Sequence, residues 1–212
     1  MIHGSMRRVC MMTIVTLALL APSVQAGERF EVTPFFGFRF SGSIDDIGTP
    51  LISKLDIKDG EAYGLTIGFN LTENSQIELL WSRQNSELRV QSTTLPNEEF
   101  GLDVDHFHIG TAYMLGDSDF RVRPFVAFSV GATYFDAVSR GSETRFSFSL
   151  GGGLKWFTDG GHLGLRLQGR WIPTYINSSS EGYFCNANVC FTVTDSHYLN
   201  EVELALGLII SL

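Results

Sequence analysis

Apolar and polar residues alternate one by one along eight separate segments of this 212-residue chain. A period of two belongs to β-strands, whose successive side chains leave on opposite faces. Over residues 30 to 40, Phe30, Val32, Pro34, Phe36, Phe38 and Phe40 share one face, and Glu31, Thr33, Gly37 and Arg39 share the other. Phe35 alone breaks the alternation. Tyr63, Leu65, Ile67, Phe69 and Leu71 repeat the pattern, followed by Ile77, Leu79 and Trp81 opposite Gln76, Glu78 and Ser82. Phe107, Ile109 and Tyr113 then stand opposite His106, His108 and Gly110, and the remaining four segments begin near Val122, Phe146, Leu163 and Val202.

Alternation alone does not say which face is wet, so a soluble sandwich or lipocalin-like barrel has to be weighed. Burial direction separates the two. The polar faces carry Arg, Lys and Glu, which cannot line a dry core, while Phe, Leu and Trp occupy the other face of every strand. Turning the apolar faces into lipid and the charges inward resolves both conflicts, and closure pairs every backbone group where no water can. The expected fold is all-β: an eight-stranded antiparallel up-and-down transmembrane β-barrel. Trp81, Tyr113, Tyr134, Trp156, Trp171 and Tyr198 fall near strand ends, where aromatic girdles form.

Connection lengths alternate too. Thr72 to Asn74, Gly116 to Asp119 and Thr158 to Gly161 are short, while the connections near 41 to 60, 84 to 101, 136 to 144 and 176 to 196 are long. Outer-membrane barrels have short periplasmic turns and long outer loops, which puts both termini in the periplasm. The long loops include an acidic excess: Asp45, Asp46, Asp56 and Asp59 against Lys54 and Lys58, then Glu87, Glu98, Glu99 and Asp103 against Arg89.

Residues 1 to 26 read as a cleaved signal peptide: Arg7 and Arg8, an apolar run from Met11 to Leu20, then Val24-Gln25-Ala26. That run is too short for a spanning helix. Residues 27 to 212 form the barrel domain. Of the chain's 15 basic and 23 acidic residues the leader removes two arginines, leaving 13 against 23, a net charge of −10. Such a chain is a poor nucleic-acid binder. Cys185 and Cys190, separated by four residues in an exported polar loop, are expected to form a disulfide; with only two thiolates, a metal site is the weaker reading.

Strand parity points Arg39, Arg121, Arg123, Arg145, Lys155, Arg166 and Arg170 inward with Glu31, Glu78, Glu201 and Glu203, seven cations against four acids. An eight-stranded barrel is only just wide enough for its own side chains, so a plug of ion pairs is expected. A narrow anion-favouring pore is the alternative, because excess Arg and Lys hold anions. Catalytic signals are thin. Asp195-Ser196-His197 offers a nucleophile and a base, but sequence neighbours on a strand point to opposite faces. His106 and His108 share a face and could hold a metal only with a third ligand; hydrogen-bonded lining histidines are the simpler reading. Gly151-Gly152-Gly153 lies within a strand, where glycine relieves crowding. No catalytic, metal or cofactor site is assigned.

Phe35-Phe36-Gly37-Phe38-Arg39-Phe40, Gly151-Gly152-Gly153-Leu154-Lys155, the segment from Leu163 to Trp171 and the C-terminal strand together resemble the outer-membrane protein β-barrel family, the small barrels of the outer-membrane protein A type. The resemblance covers residues 27 to 212 and is specific for architecture rather than activity. It also implies an assembly signal of Gly207, Ile210 and Leu212, read by the barrel-assembly machinery, with Leu212 where the family ends in Phe and Ala205 where a polar residue is common. The resulting expectation is a non-enzymatic outer-membrane protein that displays binding loops at the bacterial surface. Its partners are outer-membrane lipids, lipopolysaccharide and an unknown surface ligand. A lipid-modifying enzyme is the second alternative.

Overall fold

The alternating segments pair edge to edge until the last meets the first. In the computed structural model the described residues are 30–45, 52–92, 98–116, 120–137, 141–159, 161–176, 184–185, 190–191 and 197–212. The expected leader, residues 1 to 26, lies outside them. Eight long strands make the wall: β1 (Phe30–Phe40), β4 (Gly60–Asn70), β5 (Ser75–Ser92), β6 (Glu98–Met114), β7 (Val122–Ala137), β8 (Gly141–Phe157), β9 (Leu163–Ile176) and β12 (His197–Ser211). Each is antiparallel to its sequence neighbour in that series, and β1 pairs with β12 from Glu31↔Ser211 to Phe40↔Val202. The sheet therefore closes as an up-and-down barrel with no open edge along its wall.

Burial follows parity. Along β1 the odd positions Glu31, Thr33, Phe35 and Arg39 are buried, while Phe36, Phe38 and Phe40 are exposed. The same inversion recurs around the barrel: Leu79, Phe107, Ile109, Phe128, Leu150, Leu167 and Leu206 lie outside, and Gln76, Glu78, His106, Lys155 and Glu201 lie inside. Burying charge while exposing Leu and Phe is the reverse of a soluble domain. Tyr113 and Trp156 stand near one end of the outer wall, Trp171 and Tyr198 near the other.

One rim carries the short connections 71–74, 115–121 and 158–162. Two of them depend on left-handed glycines, Gly116 at φ 88° and Gly161 at φ 75°. Gly161 N–H donates to Thr158 O at 3.0 Å, and Thr158 N–H to Leu163 O at 2.9 Å.

On the other rim the structure departs from the expected loops. Much of 84 to 101 is strand, because β5 and β6 remain paired up to Val90↔Glu98. Likewise β7 and β8 remain paired to Ala137↔Gly141, which absorbs most of 136 to 144. A two-stranded ladder continues after the barrel wall ends, since backbone pairing needs a partner strand but no membrane. Two further strands, β2 (Ser43–Asp45) and β3 (Ile52–Ile57), extend this sheet by pairing β2 to β3 and β3 to β5. Two short strands, β10 (Phe184–Cys185) and β11 (Cys190–Phe191), form a separate hairpin with Cys185 directly opposite Cys190.

Candidate functional site

The inward faces of the eight strands meet in the lumen, and their side chains stack in layers. Beside the short-turn rim, Ala112, Met114 and Phe125 pack together. Arg123 is tied to the turn above them, donating to Glu73 O and Asn74 Oδ1, each at 2.7 Å.

The next layer is charged. Lys155 Nζ donates to Glu31 Oε2 at 2.6 Å and Gln76 Oε1 at 2.9 Å. Arg166 grips Glu78 with both ends of its fork, at 2.5 and 3.0 Å. Its guanidinium lies 4.4 Å from the centre of the Phe125 ring, a cation–π distance. Further along, Arg170 sits 5.1 Å from the Phe35 ring centre and 2.9 Å from Glu203 Oε1. Glu203 is shared, because its Oε2 also accepts from Arg39 at 2.8 Å and from Ser82 at 2.6 Å.

Closer to the long-loop rim the groups are mostly neutral. His106 Nε2 lies 3.2 Å from Glu201 Oε2, and its Nδ1 is 2.8 Å from Thr133 Oγ1. Thr133 donates to Ser147 at 2.8 Å, and Ser147 lies 2.8 Å from His108 Nε2. His108 Nδ1 meets Ser129 at 3.0 Å, and Ser129 meets Ser149 at 2.6 Å. Hydroxyls thus engage both histidines, and no group of three metal-ligating side chains occurs among the described residues. Above this chain Ile57, Leu102, Val104, Phe135 and Leu199 close into a dry layer, with Ile176 against it.

The structure buries most of the charged side chains that strand parity turned inward, with fewer cations among them. Deep in the lumen Arg39, Lys155, Arg166 and Arg170 balance Glu31, Glu78, Glu201 and Glu203, four against four. Arg121 is corrected outright: it precedes β7, its side chain is 69% exposed, and it pairs with Asp159 in the turn. Arg145 is inward but is matched by Glu143, two residues away on the same strand face. Glu143 escaped notice because the sequence placed it in a loop. The expected excess of cations is therefore gone, apart from Arg123 at the rim.

The apolar lining was the larger omission. Phe35 showed itself as a break in alternation; Leu80, Phe125 and Phe135 break it in the same way, each beside an outward apolar residue, and went unread, as did Val104. Between the layers remains a cavity of about 20 Å³ beside Glu78, Gln168, Arg166 and Arg170, room for about one water. Glycines set how closely the wall packs around it: a Cβ on Gly153 would meet Leu167 O at 1.9 Å, and one on Gly151 would meet Gly169 O at 2.4 Å.

Other sequence candidates are placed less completely. Asp195 and Ser196 lie outside the described residues, and His197 opens β12 opposite Ile176. Gly207 faces inward against Thr33 and Phe35, while Ile210 and Leu212 lie on the opposite face of the strand, and Leu212 N–H donates to Phe30 O at 2.8 Å.

No family model matches the chain, and no curated protein matches it by sequence. Solved structures do match by shape. Neisserial surface protein A is similar with a TM-score of 0.57 at 11% identity, covering 86% of this chain and 97% of its own. The outer membrane protein OprG from Pseudomonas aeruginosa is similar at 0.54 and 12% identity, covering 90% and 99%. Ring closure, lipid-type exterior and polar lumen agree with that likeness, and the chain has the fold of the small eight-stranded outer-membrane β-barrels.

Proposed function

We propose that this protein is an integral outer-membrane barrel that works as a plugged scaffold, presenting the elements of its long-loop rim at the cell surface. The observation that carries this reading is the filled lumen. Balanced ion pairs occupy its middle and apolar layers lie at both ends, while the outer wall exposes Phe, Leu and Trp as a lipid-facing surface would. Each buried charge is worth keeping only beside its partner, so moving these side chains aside to admit a solute would be costly.

Binding then falls to the projecting sheet of β2, β3, β5 and β6 and to the β10–β11 hairpin. Loops and extensions on a rigid frame are where recognition usually resides. Cys185 and Cys190 are register partners, the relation a cross-strand disulfide requires, and we assign them as the staple of the hairpin. The experiment is a Cys185→Ser, Cys190→Ser double variant, tested for capture of surface ligands on intact cells. Capture should weaken while the barrel retains its heat-dependent shift in electrophoretic mobility. Unchanged capture would refute a role for the staple, and equal capture by a loop-truncated barrel would refute the display reading itself.

A further inference from the structure

We propose that the outer wall formed by β4, β5, β6 and β7 binds one phosphorylated glycolipid of the outer leaflet, with an acyl chain in a wall groove and a phosphate on Arg83. This rests on the membrane placement proposed above. An open groove of about 370 Å³ runs over this face, lined by Leu65, Ile67, Leu79, Trp81, Phe107 and Val130. Its walls are apolar and its floor is strand backbone, the shape and chemistry an acyl chain fills.

Such a groove would hold any hydrocarbon if nothing fixed the other end. Here Trp81, a wall of the groove, is joined to a charged pair just beyond it. Trp81 Nε1 donates to Asp105 Oδ1 at 3.1 Å, and Arg83 donates to the same carboxylate through Nε at 2.9 Å and Nη2 at 2.7 Å. Among the described side chains of the eight barrel strands, Arg83 is the one cation that faces outward. It stays 35% exposed while Asp105 is only 4% exposed. The carboxylate thus holds the guanidinium from behind, leaving Nη1 directed away from the pair. A fork already held in place loses little freedom when a phosphate seats on its open end, where an Nη1 N–H and the second Nη2 N–H run parallel and match two phosphate oxygens.

The depth is right as well. Arg83 lies two residues beyond Trp81 toward the long-loop rim, roughly 7 Å along the strand. That places it at headgroup level if the aromatic marks the interface. Tyr63 stands opposite Arg83 across the β4–β5 ladder, and Tyr134 opposite Asp105 across β6–β7, so two phenols flank the pair. Asp105 cancels the charge of Arg83 at long range and Asp103, two residues further along the same face, adds a negative charge, so the contact is a seated one and not a diffuse attraction.

The test uses the full chain folded in mild detergent, with bisphosphorylated lipid A added and bound lipid counted by native mass spectrometry. One lipid per barrel is expected, with at least tenfold less retained by Arg83→Gln and by Val130→Trp, which fills the groove but leaves the Arg83–Asp105 pair intact. Arg121→Gln, in a turn at the opposite rim, should retain the wild-type amount. Equal retention by wild type and both variants overturns the proposal, as does equal binding of dephosphorylated lipid A or of phosphatidylglycerol. A wild-type barrel that shows the heat shift but holds no lipid refutes this site alone; one that never enters detergent or vesicles refutes the membrane reading.

Discussion

Glu203 does more in the lumen than any other acid, since its two oxygens serve Arg39 on one side and Arg170 on the other. Glu203→Gln would leave two buried guanidiniums short of a counter-charge, and a loss of about 3–5 kcal/mol is expected. Glu31→Gln should cost less, about 1–3 kcal/mol, because Lys155 keeps its bond to Gln76. Urea unfolding in lipid vesicles, followed by tryptophan fluorescence, compares the two; equal losses would show that the shared carboxylate is not the hub. At this scale the sequence was informative about charge and nearly blind to aromatics. A Glu or Arg on the polar face declares its direction, because no charged group is tolerated in hydrocarbon. A Phe does not, since both lipid and a narrow lumen accept it. Phe125 breaks the alternation between Pro124 and Val126, but what holds it inside shows only when the Arg166 guanidinium is seen over its ring.

Among the elements, β8 lies close against β9 at Gly151 and Gly153, where a Cβ would meet β9 backbone. Gly153→Ala would drive a Cβ into Leu167 O, so this ladder must part, at an expected cost of about 1–3 kcal/mol or outright failure to fold. Gly169→Ala on β9 meets only the flexible end of Leu204, at 3.2 Å, and should change stability by no more than about 0.5 kcal/mol. The folded fraction of each, read from heat-dependent mobility, decides between a steric and a merely entropic role for Gly153. All eight wall strands were legible from their period of two, whereas their far ends were not. The outward face turns polar along β5 and β6 past Gln84, with Asn85, Glu87 and Asp103 in place of Leu and Phe, yet the ladder continues because backbone pairing does not depend on side-chain pattern. The short strands β2, β3, β10 and β11 carry too few residues for any period to register.

For the molecule as a whole, the ring closure followed from the sequence because every strand has one apolar face and no strand can be an edge in lipid. Whether the ring is open down its middle did not follow, because that depends on volumes and on which acid meets which base. The layered filling predicts that the purified barrel raises the conductance of a planar bilayer no further than protein-free controls do. Discrete channel openings at neutral pH would contradict it. The anion-favouring alternative loses its driving force with the balance of four buried cations and four acids.

A filled lumen also has a mechanical consequence. A hollow eight-stranded ring can flatten under lateral pressure from the surrounding lipid, because its strands can shear past one another. Here salt bridges run across the ring like spokes, joining Lys155 on β8 to Glu31 on β1 and Arg166 on β9 to Glu78 on β5, while Arg39 and Glu203 tie the neighbouring strands β1 and β12 where the ring closes. A cross-braced cylinder resists flattening, so in the proposed membrane setting the projecting strands at its rim would keep their spacing when the bilayer is strained.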